Sequence, residues 1–242
     1  MTPSLPIPPL ADPLEGWLQG HLGRLLIDKE IHLISRGLEQ VFGTTCVQIG
    51  QWGAMDAFLA HARLPRRVLV AEPGACGDCV SHAAALPLAS QSIDAVLLPH
   101  TLEFELEPHG VLREVERVLV GEGHVLILGF APFGSWALRH HLTPAGFPPG
   151  VRQFLSARRL GDWLRVLGFE VLDTQWAPLG WPLESPALSP LVALSARLAP
   201  LFGGRLGSVY LLKAKKRVYT LTPIRPRRRA PRVLGQAVVG ST

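Results

Sequence analysis

The sequence predicts an α/β protein built on a mostly parallel sheet, and three observations carry that reading. Short apolar strand patterns alternate with helical ones along most of the chain, which is the signature of βαβ units. The 242 residues, 48% hydrophobic and 18% charged, suit one large α/β domain or two small ones with a real core. The longest apolar stretches, "VLILGFAPFGSWAL" and "PLVALSARLAPLFGG", are too short or are broken by Pro, Gly and Arg, so no transmembrane helix is expected. The start, "MTPSLPIPPLADP", has no basic segment followed by an apolar one, and a cytoplasmic protein without a secretory leader is expected.

Residues 1–13 are Pro-rich and irregular in expectation. "PLEGWLQGHLGRLL" then places Leu14, Trp17, Leu18, Leu22 and Leu25 at helical spacing. "DKEIHLISRGLEQVFG" predicts a helix with Asp28 as N-cap, Gly43 past its end, and Ile31, Ile34, Leu38 and Val41 on its apolar face. Together, 1–43 reads as an N-terminal helical segment packing on a core that begins at 44. "CVQI" (46–49) is a buried strand, "MDAFLAHARL" (55–64) a helix, and "RVLVAE" (67–72) the next strand. A further strand, "IDAVLLPH" (93–100), precedes a helix, "PHGVLREVERVLV" (108–120). The strand "GHVLILGFA" (123–131) follows, then the helix "SARRLGDWLRVLG" (156–168) opened by Ser156, then strands "FEVLDTQ" (169–175) and "SVYLLKAKKR" (208–217).

Charge is uneven. The net +5 divides into −6 before residue 185 and +11 after it, and residues 218–242 form a basic tail expected to be disordered. Such a tail suits weak contact with a polyanion. Between the last two strands, 176–207 is long and apolar, with Trp176, Trp181 and Phe202; it reads as a lid over a substrate mouth or as a partner or membrane patch. Cys76, Cys79 and His82 stand at ligand-like spacing in "CGDCVSH", but no second CxxC or paired-His segment completes a tetrahedral set, so the cysteines read as a reduced pair and no metal is expected. The pair His140-His141 falls in what reads as a loop after the fifth strand, where it needs no function.

In a doubly wound sheet, ligands sit outside the carboxyl ends of the strands where strand order reverses. This points to Gly50–Gly53, Glu72 and Pro73, 81–83, Pro99 to Glu103, and 130–133. One resemblance sharpens the picture. Six landmarks occur in order between 85 and 123: Ala85-Leu86-Pro87, Ile93-Asp94, Leu102-Glu103-Phe104, Leu112-Arg113-Glu114, Arg117-Val118-Leu119 and Gly121-Glu122-Gly123. In this order the chain resembles the class I S-adenosylmethionine-dependent methyltransferases, and among them the small-molecule enzymes of the ubiquinone-biosynthesis type.

The resemblance implies a Rossmann-like three-layer sandwich whose seven-stranded sheet ends in an antiparallel strand, extending over roughly residues 40–217. It also implies S-adenosyl-L-methionine as cofactor and a small or lipid-like methyl acceptor. The cofactor loop departs from the family pattern: Gln48 stands where an acid is usual, Gly50 keeps the first glycine, Trp52 replaces the second and Ala54 the third. The cofactor-binding set implied is Gln48, Ile49, Gly50, Gln51, Trp52, Gly53, Glu72, Pro73, His82, Ala83 and Pro99. Glu72, 22 residues after Gly50, takes the ribose-binding place, and His82 replaces the acid before Ala83. Trp52 either stacks on the cofactor or plugs its pocket. If the reaction uses a base, His100 and Glu103 are best placed; otherwise they are structural. Two other functions compete: an inactive scaffold of the same fold that binds a protein or nucleic acid, and a nicotinamide-dependent oxidoreductase, which the landmarks disfavour.

Overall fold

The computed structural model describes residues 11–54, 56–132, 134–144, 146–179, 182 and 209–218. The basic tail expected over 218–242, Val218 apart, and nearly all of the 176–207 insertion lie outside the described residues.

Seven strands form one sheet: β1 (Thr45–Ile49), β2 (Arg66–Ala71), β3 (Cys79–Val80), β4 (Ile93–Pro99), β5 (Leu119–Phe130), β6 (Phe169–Ala177) and β7 (Val209–Lys216). Their order is β3-β2-β1-β4-β5-β7-β6. The first five pair in parallel, while β7 runs antiparallel to both β5 and β6. This is the predicted Rossmann-like sandwich with its antiparallel last strand. The chain builds outward from β1 to β3, then returns to lay β4 on the other side of β1. The crevice between the carboxyl ends of β1 and β4 is therefore the topological switch point.

Continuous apolar strands imply a sheet covered on both faces, and β4 shows why. Ala95 and Leu97 point into one core, Val96 and Leu98 into the other, and all four are fully buried. The first core is covered by α1 (Ala11–Leu18) and α2 (His21–Leu38), with α5 (Ser135–Leu142) contributing Trp136. The second is covered by α4 (Pro108–Val118), through Val111, Leu112, Val115 and Val118, and by α6 (Ala157–Val166), through Leu160 and Leu164. A short α3 (Thr101–Phe104) follows β4.

The family landmarks prove to be joints. Glu114 on α4 accepts from the Leu86 N–H at 3.0 Å, and Arg117 donates to the carbonyls of Leu86 and Leu88. Asp94 accepts from the N–H groups of Thr44 and Thr45 and from the Thr44 hydroxyl, tying the start of β1 to β4. Burial works to raise the Asp94 pKa, but those three hydrogen bonds outweigh it and leave it lowered.

Three local expectations are corrected. The helix expected over 55–64 is only a 3-10 turn at Leu59–His61, where Ala62 and His61 bond back three residues. Pro65 then denies the segment a further turn. Residues 13–43 do not open a second helix at Asp28; α2 already runs from His21, because Leu22, Leu26, Leu33, Ile34 and Leu38 form one buried stripe. His140 and His141 lie on α5 rather than in a loop.

Candidate active site

Strand β1 delivers Gln48 and Ile49 to the switch point, both buried. Gly50 follows with φ +88, a left-handed conformation, and a Cβ built there would meet Thr101 Oγ1 at 2.8 Å. The Thr101 hydroxyl donates to the Ile49 carbonyl, so the end of β1 is locked to the start of α3. Gly50 is therefore required by space as well as by backbone conformation. Gly53 is also left-handed, at φ +73. Gln48 donates through Nε2 to the Gly50 carbonyl at 3.0 Å, while its Oε1 is buried and has no hydrogen-bond partner among the described residues. A buried acceptor without a donor costs roughly 1–3 kcal/mol.

A second group gathers at the end of β2. Glu72 Oε1 accepts from the Ala83 N–H at 2.9 Å, and Oε2 lies 3.2 Å from His82 Nδ1. The Glu72 side chain is 42% exposed and His82 71%, so these groups face outward. Pro73 beside them is also exposed. Glu105, just after α3, has its carboxyl pushed up by burial and then by the charge of Glu72, with His82 and Arg152 opposing. Nothing in the sequence pattern singled Glu105 out; only the fold brings it within electrostatic reach of Glu72.

The third group is buried completely. His100, in the left-handed conformation at φ 56, caps α3 and packs its ring against Trp52 with centroids 4.4 Å apart. Its Nδ1 lies 2.6 Å from Glu103 Oε2 and its Nε2 lies 2.7 Å from Glu30 Oε1. The remaining oxygens are also taken: Glu30 Oε2 accepts from the Trp52 indole N–H at 2.8 Å, and Glu103 Oε1 accepts from the Phe130 N–H at 2.7 Å. Burial alone would lower the His100 pKa, but the charge of Glu30 and the hydrogen bonds to both carboxylates raise it to about 9. The Glu103 carboxyl is raised, chiefly by burial, against the bonds from His100 and the Phe130 N–H. At neutral pH both ring nitrogens of His100 are donors, so this imidazole has no lone pair with which to take a proton. His100 and Glu103 thus belong to a sealed network joining α2, the loop after β1, and the ends of β4 and β5.

Trp52 itself is 1% exposed and is held among His100, Phe104 and Phe130. Glu30 was missed in the sequence. The available clue was its place in the stripe Leu22, Leu26, Glu30, Leu33 and Leu38, where a carboxylate occupies a core-facing position of a helix. Gln51 is half-buried between the left-handed glycines, and Pro99 is buried at the end of β4.

Among known proteins, residues 38–127 match the model of the methyltransferase domain family. That segment is the part of the chain that resembles the family. It contains β1 to β4, the three groups above except Glu30 and Phe130, and the joints at 86 and 114. The chain is 36% identical to the uncharacterized protein YafS of Escherichia coli over 163 residues, 65% of this chain and 62% of that one. It is 30% identical over 152 residues to the malonyl-[acyl-carrier protein] O-methyltransferase of Laribacter hongkongensis, covering 62% of this chain and 50% of that enzyme. The chain thus spans less than two thirds of the length of these relatives. In fold it is similar to an S-adenosylmethionine-dependent methyltransferase from Thermotoga maritima, with TM-score 0.59 and 16% identity over 86% of this chain and all of that one. Among the described residues, no helix is long and apolar enough to cross a membrane.

Proposed function

We propose that this chain is an S-adenosylmethionine-dependent methyltransferase acting on a small or lipid-like acceptor, a rebuilt member of the ubiquinone-biosynthesis type. The observation that carries the reading is the unpartnered, buried Oε1 of Gln48, set beside the left-handed Gly50 at the switch point. A cofactor ammonium would supply the missing donor. Charge-assisted hydrogen bonds are roughly twice as strong as neutral ones, so part of the usual acid's attraction is retained through the amide oxygen. Glu72 would hold the ribose hydroxyls; each of its oxygens keeps a lone pair beyond the bond to Ala83 or His82. The buried Ala83 and Pro99, with Ile49, supply apolar walls.

When bound, the cofactor supplies an activated methyl group. This chain's own contribution is to bind and align. With His100 committed to two carboxylates, no residue in the sealed network needs to act as a base, and catalysis by alignment suffices for an acceptor that is already nucleophilic. A cytoplasmic setting fits that reading.

The test is calorimetric titration of the full chain with S-adenosylmethionine and S-adenosylhomocysteine. Binding is expected, and Glu72→Ala should weaken it by about 1–3 kcal/mol, the cost of losing a hydrogen bond to a charged group. No heat at millimolar ligand would overturn the reading. It would favour a second one, a non-catalytic scaffold for a protein or nucleic-acid partner, for which the complete burial of Trp52 in the glycine loop is the supporting observation.

A further inference from the structure

The segment 50–53 carries a tryptophan where the fold's cofactor loops have a glycine, and the reason it fits lies outside the methyltransferase-type segment, on α2. Glu30, on α2, reaches both sides of the switch point. Its Oε2 accepts from Trp52, two residues past the end of β1's loop glycine, and its Oε1 bonds to His100, directly after β4. The side chains of Glu30 and His100 are 0% exposed and that of Glu103 is 2% exposed. Burying three ionisable groups is costly, and a well-packed apolar set of similar volume is often as stable or more so. A network with that cost, whose polar atoms are all paired, fixes geometry more than it adds stability.

We infer that Glu30 is a positioning residue for the cofactor loop: its carboxylate holds Trp52 turned inward and pins the ends of β1 and β4 together, so that a loop with tryptophan at the second glycine position stays open to the cofactor. The inference rests on the methyltransferase reading and extends the site to the N-terminal helical layer. It also explains how Trp52 and Gln48 coexist. Trp52 faces α2, while Gln48 Oε1 is left for an external donor.

The chemistry makes a distinguishing variant available. In Glu30→Gln the amide oxygen still accepts the indole N–H, and the amide N–H can donate to His100 Nε2 once that nitrogen has lost its proton. Nδ1–H then still serves Glu103, and every polar atom keeps a partner. Glu30→Ala loses both bonds.

The experiment measures S-adenosylhomocysteine affinity by calorimetry on the full chain, with the Trp52 indole N–H followed by heteronuclear NMR. Glu30→Ala should weaken affinity about tenfold or more, the equivalent of one hydrogen bond in a charged network, and its Trp52 indole proton should lose exchange protection. Trp52→Phe, which keeps a ring but no donor, should move affinity in the same direction. Glu30→Gln should restore affinity to within about threefold of wild type, with His100 titrating at lower pH. Wild-type affinity in folded Glu30→Ala would overturn the inference, as would Glu30→Gln binding as poorly as Glu30→Ala. Should Glu30→Ala fail to fold, Glu30→Met fills the volume without an acceptor and is read in its place. No binding by the wild type would overturn the methyltransferase reading and this inference with it, an outcome distinct from a loss confined to the variants.

Discussion

His100 shows how environment sets what a residue can do. At the end of a strand, beside Glu103, it reads as a base if the reaction needs one and as structural otherwise; the fold closes Trp52, Phe130 and Glu30 around it. Its pKa, raised from about 6.5 unfolded to about 9 folded, gives a definite pH signature. A raised folded pKa means the native state binds the proton more tightly. The stabilisation is therefore complete below about pH 6.5 and is lost as pH rises towards 9. Glu103, also raised, contributes in the same direction at lower pH. Urea midpoints should fall between pH 6.5 and 9.5 in the wild type and fall much less in Glu30→Gln, where His100 no longer needs its proton. Cys46 offers a second test. Burial pushes its thiol up to about 12, against a small opposing effect of Arg67, whereas Cys76 is exposed. Iodoacetamide on the native protein should label Cys76 and leave Cys46 unmodified until the chain unfolds; early labelling of Cys46 would contradict the described core. At this scale the sequence revealed which residues stand at strand ends, since strand pattern and glycine spacing are local. It did not reveal Glu30, because what makes that residue important is contact with two segments 22 and 70 positions away.

Among the elements, α2 packs closely on the sheet. A Cβ at Gly37 would lie 2.6 Å from Leu211 Cδ2 and 2.9 Å from Leu126 Cδ2, so the helix rests directly on the side chains of β5 and β7. Gly37→Ala gains intrinsic helix propensity of about 1 kcal/mol, yet overpacking of this kind costs about 1–3 kcal/mol. A net loss of stability is expected in urea melts, and a more stable variant would mean the interface yields easily. At α6, Ser156 accepts from the Arg159 N–H at 3.2 Å as the N-cap read from the sequence. Ser156→Ala should cost about 0.5–2 kcal/mol. Elements with strong periodicity, β4, α4 and α6, were legible because their patterns stem from two-sided or one-sided burial that the sequence repeats. The segment 55–64 misled because its buried residues Phe58, Leu59, Ala62 and Leu64 have helical spacing although the backbone tightens into three-residue turns.

For the whole molecule, the mostly parallel sheet followed from the alternation of strands and helices, and the resemblance carried by the landmarks between 85 and 123 implied the antiparallel ending; the strand order that makes β1 and β4 the switch point came from the fold. What the sequence left open was where the N-terminal helices pack, because amphipathic faces do not name their partners. The basic tail remains a matter of composition. Nine of the chain's 24 Lys and Arg residues lie between 213 and 232. Removing 222–242 should abolish salt-sensitive retention on heparin while leaving cofactor affinity unchanged; equal retention of both forms across a salt gradient would show the tail to be inert.

The insertion of β7 between β5 and β6 has a temporal consequence. On a ribosome, β5 emerges well before the strand that pairs with it across Phe130–Val209 to His124–Lys215. Until then its outer edge is an unsatisfied row of backbone groups on an apolar strand, open to pairing with another chain. The underside of α2 is unfinished for as long, since the Gly37 carbonyl waits for the Lys213 ammonium 176 residues later. Nascent chains arrested before residue 209 should thus be protease-sensitive throughout the helical layer and prone to aggregate. Extension through Lys216 should convert them to the resistant form in one step, with β7 acting as the bolt that closes α2 and β6 onto one sheet.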